Sequence, residues 1–287
     1  MKHVFFATFA LLSIKGMDSI NNFADVPCGK VFGGRDPKVV GGTDAEKGEF
    51  PWIVSITKKG GHFCGGSIIT RKHILTAAHC LCGGFDFVKP RQIKVSLGQH
   101  DLRESDVYKY ELPVISYTIH PNYTCDRPAN DIAVIEIGNS VQWSQRVSPI
   151  CIPSSENEEN YKTFADTVAT VAGWGWTKED SSIGSRANVL QKANVNVIET
   201  EKCQSWYKSQ GKKIKISSKQ MCAGYQNGGI DACWADSGGP LMINFKNTNQ
   251  MVIAGVVSTG IGCARPYLPG LYTRISEYVP WLRTILN

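Results

Sequence analysis

The chain has 287 residues, of which 42% are hydrophobic and 20% charged. That is an ordinary globular balance with enough apolar content for a full core, and it excludes a disordered or fibrous polymer. The formal net charge of +6 is mild, and no nucleic-acid-binding motif is present.

From the N-terminus, Met1-Lys2-His3 sets a basic tip before an apolar run at residues 4–14. Such a run is too short to span a bilayer and reads as a secretory signal. We assign it to 1–18, although Lys15-Gly16-Met17-Asp18-Ser19 lacks a clean small-x-small cleavage site. Ten cysteines, an even number, agree with an oxidising, extracellular destination. No later stretch is long and apolar enough to cross a membrane, so no membrane partner is expected.

A short segment, 19–38, ends at Lys38 and is followed by Val39-Val40-Gly41-Gly42. From Phe50 onward, short and partly alternating apolar runs are separated by Gly, Pro, Asn and Asp. Examples are Trp52-Ile53-Val54-Ser55-Ile56, Gln92-Ile93-Lys94-Val95-Ser96-Leu97 and Val252-Ile253-Ala254-Gly255-Val256-Val257. The pattern predicts an all-β sandwich or barrel and does not choose between them. Only residues 276–286, near the C-terminus, read as an amphipathic helix. Asn122-Tyr123-Thr124 is an N-glycosylation acceptor, a triplet that also arises by chance. Lys208, Lys212, Lys213, Lys215 and Lys219 cluster between Cys203 and Cys222; they read as a solvated loop, with an anion-binding exosite as the alternative.

Three motifs carry the chemistry. Asp236-Ser237-Gly238-Gly239-Pro240 surrounds a serine with small residues that allow a tight turn and leave the hydroxyl accessible. Alone it could be a surface turn. A serine hydroxyl attacks an acyl carbon only with a base for its proton and donors for the oxyanion. Ala77-Ala78-His79-Cys80 supplies an imidazole, and Asn130-Asp131-Ile132-Ala133-Val134 supplies a carboxylate at the head of an apolar run. The chain order His79, Asp131, Ser237 is one of those used by hydrolytic triads.

On these motifs the sequence resembles the chymotrypsin/trypsin family of serine endopeptidases over residues 39–287. The resemblance implies two six-stranded antiparallel β-barrels with the triad at their junction, followed by a C-terminal α-helix. It implies Ser237 as nucleophile, His79 as general base and acid, and Asp131 as the group that orients the imidazole. The N–H groups of Ser237 and Ala235 would form the oxyanion hole, and Ser258 would hydrogen-bond Asp131. Asp231, six residues before Ser237, matches the base of a pocket that takes Arg or Lys, and Gly260 and Gly270 match its walls. In the family, cleavage before such a Val-Val-Gly-Gly sequence frees an ammonium that pairs with the aspartate preceding the nucleophile, here Asp236. Lys30-Val31-Phe32-Gly33-Gly34 has a similar look, but Val39 lies 40 residues before His79, the spacing the family shows. Lys38–Val39 is therefore the expected activation bond, with 19–38 as propeptide and light chain.

The family pairing gives Cys64–Cys80, Cys203–Cys222 and Cys233–Cys263, with Cys28–Cys151 tethering the light chain. Cys82 and Cys125 are paired because their positions lie on neighbouring loops of the family fold. Ala169 and Ile243 stand where many trypsins have a further bridge. The family also departs from this chain at three places: Ala235 replaces a Gly in the oxyanion hole, Trp234 is large for the pocket lip, and Thr259 replaces a Trp. Near Gly98 the chain has Gln99 and Lys109 where calcium-binding trypsins use acids, so Asp101, Glu104 and Asp106 read as a hydrated acidic loop; no metal or cofactor is expected. Expected partners are a protein or peptide substrate, an activating protease and protein protease inhibitors, acting on a secreted monomer. The competing readings are an enzyme-like binding protein weakened at Ala235, and an anion-binding module acting through the Lys cluster.

Overall fold

The computed structural model describes residues 20–21, 23–32, 42–59, 61–83, 86–104, 107–153, 164–176, 185–229, 236–245 and 250–286. Two short strands, β1 (Ile20–Asn21) and β2 (Thr43–Asp44), precede the first barrel. Its strands are β3 (Ile53–Lys58), β4 (Gly61–Ile68), β5 (His73–Thr76), β6 (Ile93–Leu97), β7 (Tyr110–Ile119) and β8 (Ala133–Ile137), closed in the order β3-β4-β5-β8-β7-β6. After β9 (Ile152–Pro153) come β10 (Val168–Gly173), β11 (Gln191–Ile198), β12 (Gln220–Gly224), β13 (Pro240–Asn244), β14 (Met251–Thr259) and β15 (Gly270–Arg274). These run in the order β10-β13-β14-β15-β12-β11, and the pairing of β10 with β11 closes a second six-stranded antiparallel barrel; β2 adds to the free side of β11.

Closure, left open by the sequence pattern, comes from pairing between distant strands, β3 with β6 and β10 with β11. In β6, Ile93, Val95 and Leu97 are buried while Lys94 is exposed, and in β7 Leu112 and Val114 point in while Glu111 and Pro113 point out. Alternation puts one face of these two strands inside, whereas β3, β12 and β15 are buried along nearly their whole length; pairing the outer strands leaves no open edge. Where the β10–β13 register is continued by one residue beyond Thr170↔Met242, Ala169 faces Ile243. Both are buried, so apolar packing occupies the positions of the absent bridge.

Two α-helices are present among the described residues: α1 (Thr200–Ser209) and α2 (Val279–Leu286). Sequence periodicity predicts only the second, over a longer span; residues Ile275–Tyr278 instead form a 3₁₀ turn leading into it. Pro280 sits in the first turn of α2, where no intrahelical N–H is lost. Buried Leu282 joins the main core, and Trp281 packs on His120 at 5.2 Å between ring centroids. No helix among the described residues is long and apolar enough to cross a membrane.

Residues 23–32 are strapped to both barrels. Asp25 accepts hydrogen bonds from Trp143 Nε1 (2.7 Å) and Arg71 Nε (2.8 Å), which lower its carboxyl from the ordinary value. Gly29 donates to Pro149 O and accepts from Met251 N of β14; its φ is +67°, and a Cβ there would lie 2.3 Å from Met251 O. The Cys28–Cys151 disulfide fixes the same stretch covalently.

Candidate active site

His79 sits on a single 3₁₀ turn, Ala78–Leu81, immediately after β5. Small Ala77 and Ala78 are fully buried and allow the turn to lie against the barrel. Disulfides hold both of its flanks: Cys64–Cys80 ties it to β4, and Cys82–Cys125 ties it to the loop before Asp131.

Asp131 is 2% exposed and lies just before β8. Its neighbour Asn130 adopts a left-handed conformation (φ +56°), which Asn tolerates better than most residues. The Asn130 side chain is also used, since Oδ1 accepts from Tyr278 OH and Nδ2 donates to Asn122 O. A buried carboxylate must be satisfied by donors, and three are present. His79 N donates to Oδ1 at 2.8 Å, His79 Nδ1 donates to Oδ2 at 2.7 Å, and Ser258 Oγ donates to Oδ2 at 2.5 Å. A carboxylate only accepts, so the proton of a neutral His79 sits on Nδ1 and Nε2 keeps its lone pair.

Ser258 reaches Asp131 because of a register shift between Val257 and Thr259 in the β14–β15 ladder. The bulge leaves Ser258 without a cross-strand partner and re-aims its side chain. From β15, Thr273 Oγ1 donates to the backbone carbonyl of Asp131 at 2.7 Å. The first barrel therefore carries the aspartate while the second supplies two of the groups that fix it. Tyr123 and Tyr278 flank this region; burial and then the charge of Asp131 push both hydroxyls up, so they stay neutral donors.

Ser237 is gripped between the barrels. Its carbonyl accepts from Gly65 N of β4 at 2.8 Å, and the next residue, Gly238, donates to Val257 O at 2.9 Å. Gly238 has φ +81°, and a Cβ there would lie 2.2 Å from Thr76 Oγ1, so this position requires glycine. The carboxylate of the preceding Asp236 accepts from Gly175 N at 2.8 Å. A Cβ on Gly173 or Gly175 would fall 2.1 or 2.2 Å from its oxygens.

His79 and Ser237 line two adjoining cavities. One, about 470 Å³, is also lined by Asp131, Ser258, Thr259, Gly260 and Gly270; the other, about 570 Å³, is lined instead by first-barrel residues that include Lys58, Lys59 and Phe63. The structure thus brings His79, Asp131, Ser237, Ser258, Gly260 and Gly270 to one cleft. Asp231, Cys233, Trp234, Ala235, Lys38 and Val39 lie outside the described residues. Cys263, which borders the cleft, is disulfide-bonded, and Cys203–Cys222 is formed.

The remaining candidates are dispersed. Asn122 is exposed on a turn. Within the Lys cluster, Lys219 lies 3.4 Å from Asn130 Oδ1 and over the Tyr278 ring, while Lys208, Lys213 and Lys215 are exposed. Asp101 is engaged by Arg103 and Glu104 by Lys47. The close grouping of Cys64, Cys80 and His79 is not a metal site, because both sulfurs belong to one disulfide. Sequence reasoning missed Gly173, Gly175 and Thr273; the repeated Gly-Trp of Gly173-Trp174-Gly175-Trp176 was the available signal for a close backbone approach.

Two antiparallel barrels with an Asp–His pair and a serine at their junction define the class of two-barrel serine peptidases. The profile of the Trypsin family matches residues 39–282, so the chain belongs to the trypsin family.

Proposed function

We propose that the protein is a secreted serine endopeptidase that cleaves after Arg or Lys and is activated by cleavage at Lys38–Val39. The observation that carries the reading is the buried Asp131 carboxylate, bonded twice to His79, which faces the same cleft as Ser237. With Nδ1 donating to Asp131, Nε2 takes the Ser237 proton as the hydroxyl attacks a peptide carbonyl. Asp131 stabilises the imidazolium that forms, and His79 returns the proton to the leaving amine. The N–H groups of Ser237 and Ala235 receive the oxyanion.

Specificity rests on Asp231, a carboxylate for a long cationic side chain, with Gly260 and Gly270 leaving room for it. After cleavage the Val39 ammonium pairs with Asp236; a buried charge is stable only when paired, so the two order each other. The Cys28–Cys151 bond keeps the 19–38 segment attached. The 1–18 signal and the disulfides support secretion, and Asn122, being exposed, is open to glycosylation. Substrate proteins, an activating protease and protein inhibitors are the partners of a monomeric enzyme.

The test is turnover of an arginyl chromogenic substrate after limited trypsin treatment, with the new N-terminus sequenced. Turnover with a Val39 terminus is expected. A Val31 terminus would refute the activation bond, and preference for aromatic residues would refute the role of Asp231. A second reading rests on Ala235: a Cβ in the oxyanion hole resists the needed backbone conformation, leaving a weakened homologue that binds without cutting. No turnover despite a correct Val39 terminus would select it.

A further inference from the structure

A protease must also hold the part of the substrate that leaves. The cavity containing Gly260 and Gly270 is the acyl side in the proposed function, so the second cavity, lined mainly by first-barrel residues, receives residues after the scissile bond. It measures about 570 Å³ and joins His79 and Ser237 to Phe63, Val88, Lys58 and Lys59. Lys58 and Lys59 are its only charged lining side chains among the described residues, and neither makes an ion pair there. Among the described residues, no carboxylate lines this groove.

The position of the lysines fixes their reach. Gly65 bonds to Ser237, and Lys58 pairs with Gly61, four residues back along β4. At about 3.3 Å per residue that is about 13 Å, and a lysine side chain reaching back shortens it by about half. An extended substrate covers the remaining distance with its second or third residue beyond the cut. Lys59 is exposed and held at φ +51°, the left-handed region that suits glycine, with Gly61 close by in the same hairpin. That φ is what the first residue of a two-residue hairpin loop adopts, so the turn itself sets where Lys59 is presented.

We propose that this groove selects acidic side chains at the second and third positions after the scissile bond, through Lys58 and Lys59. The inference rests on the proposed peptidase activity and names the substrate class of that site. The exposed pairs are worth about three- to tenfold in kcat/KM at low ionic strength, and salt screens most of that.

The experiment uses the full chain after activation and three arginyl peptides that differ only in carrying Glu, Ala or Lys at those two positions. The wild type is expected to cleave them in the order Glu, Ala, Lys, with the spread collapsing at about 0.5 M salt. Lys58→Glu/Lys59→Glu is expected to invert the order; because the readout is a ratio within each protein, a general loss of activity does not disturb it. Equal kcat/KM for the three peptides, or preference for Lys by the wild type, would overturn the inference and leave the proposed function standing. No cleavage of any peptide by the wild type would overturn both.

Discussion

Lys192 and Glu49 form the most buried salt bridge among the described residues, with Nζ–Oε1 at 2.6 Å and side-chain exposures of 11% and 3%. Glu49 Oε2 also accepts from Glu46 N at 2.8 Å, closing a tight turn. Lys192 lies on β11 of the second barrel, opposite Thr43 of β2, so the pair clasps the segment that follows the proposed Val39 terminus. Lys192→Met keeps the length of the side chain but strands a carboxylate where water cannot reach it. Breaking a buried pair from one side costs about 3–5 kcal/mol. At about 2–4 °C per kcal/mol for a chain of this size, the thermal midpoint should drop by about 6–20 °C. The double variant Glu49→Gln/Lys192→Met, with no charge to strand, should recover to within about 1 kcal/mol of the wild type. Urea unfolding of the four proteins of this cycle, disulfides intact, measures the coupling. A loss below about 1 kcal/mol for Lys192→Met would refute the reasoning, because exposed pairs behave that way.

Gly175→Ala should displace the Asp236 carboxylate, which a Cβ would approach to 2.2 Å, and with it the backbone leading to Ser237. A loss of about 10²–10³ in kcat is expected, the size of a missing oxyanion donor, and wild-type turnover would refute it. Hydrogen bonds from the Arg103 side chain (Nε and Nη2), and then from its backbone N, hold the Asp101 carboxyl down at about 2, below its ordinary 3.8. A depressed folded-state pKa stabilises above the unfolded value and is lost as pH falls through the folded one, so thermal midpoints of the wild type and Arg103→Ala should converge between about pH 4 and pH 2. A constant gap across that window would contradict the assignment. Replacing Cys82 and Cys125 by serine opens a loop with a sequence separation of 43. Chain entropy then predicts a loss of about 2–4 kcal/mol in urea unfolding, and an unchanged midpoint would show that the bridge constrains little.

Much of the fold was legible because short apolar runs, partly alternating, are cut by turn residues: the runs around Ile53, Ile93 and Val252 became β3, β6 and β14. Whether those strands close was not legible, since closure depends on pairings such as β3–β6 and β10–β11 between distant segments. Helix α1 escaped notice because it buries only Cys203 and Tyr207, one turn apart, beneath an otherwise polar surface. In the site, each reactive residue type was readable from its own motif. The groups that position them were not: Ser258 depends on a bulge, Thr273 on a contact across the barrels, and Asn130 on its backbone conformation. Those are properties of the assembled pair of barrels.

The most direct test of the account is covalent labelling with a fluorophosphonate probe after activation, mapped by mass spectrometry. The account predicts one modified residue, Ser237, with labelling abolished in Ser237→Ala and sharply reduced in Asp131→Asn. Labelling that persists in Ser237→Ala, or a correctly processed wild type that takes up no probe, would contradict it.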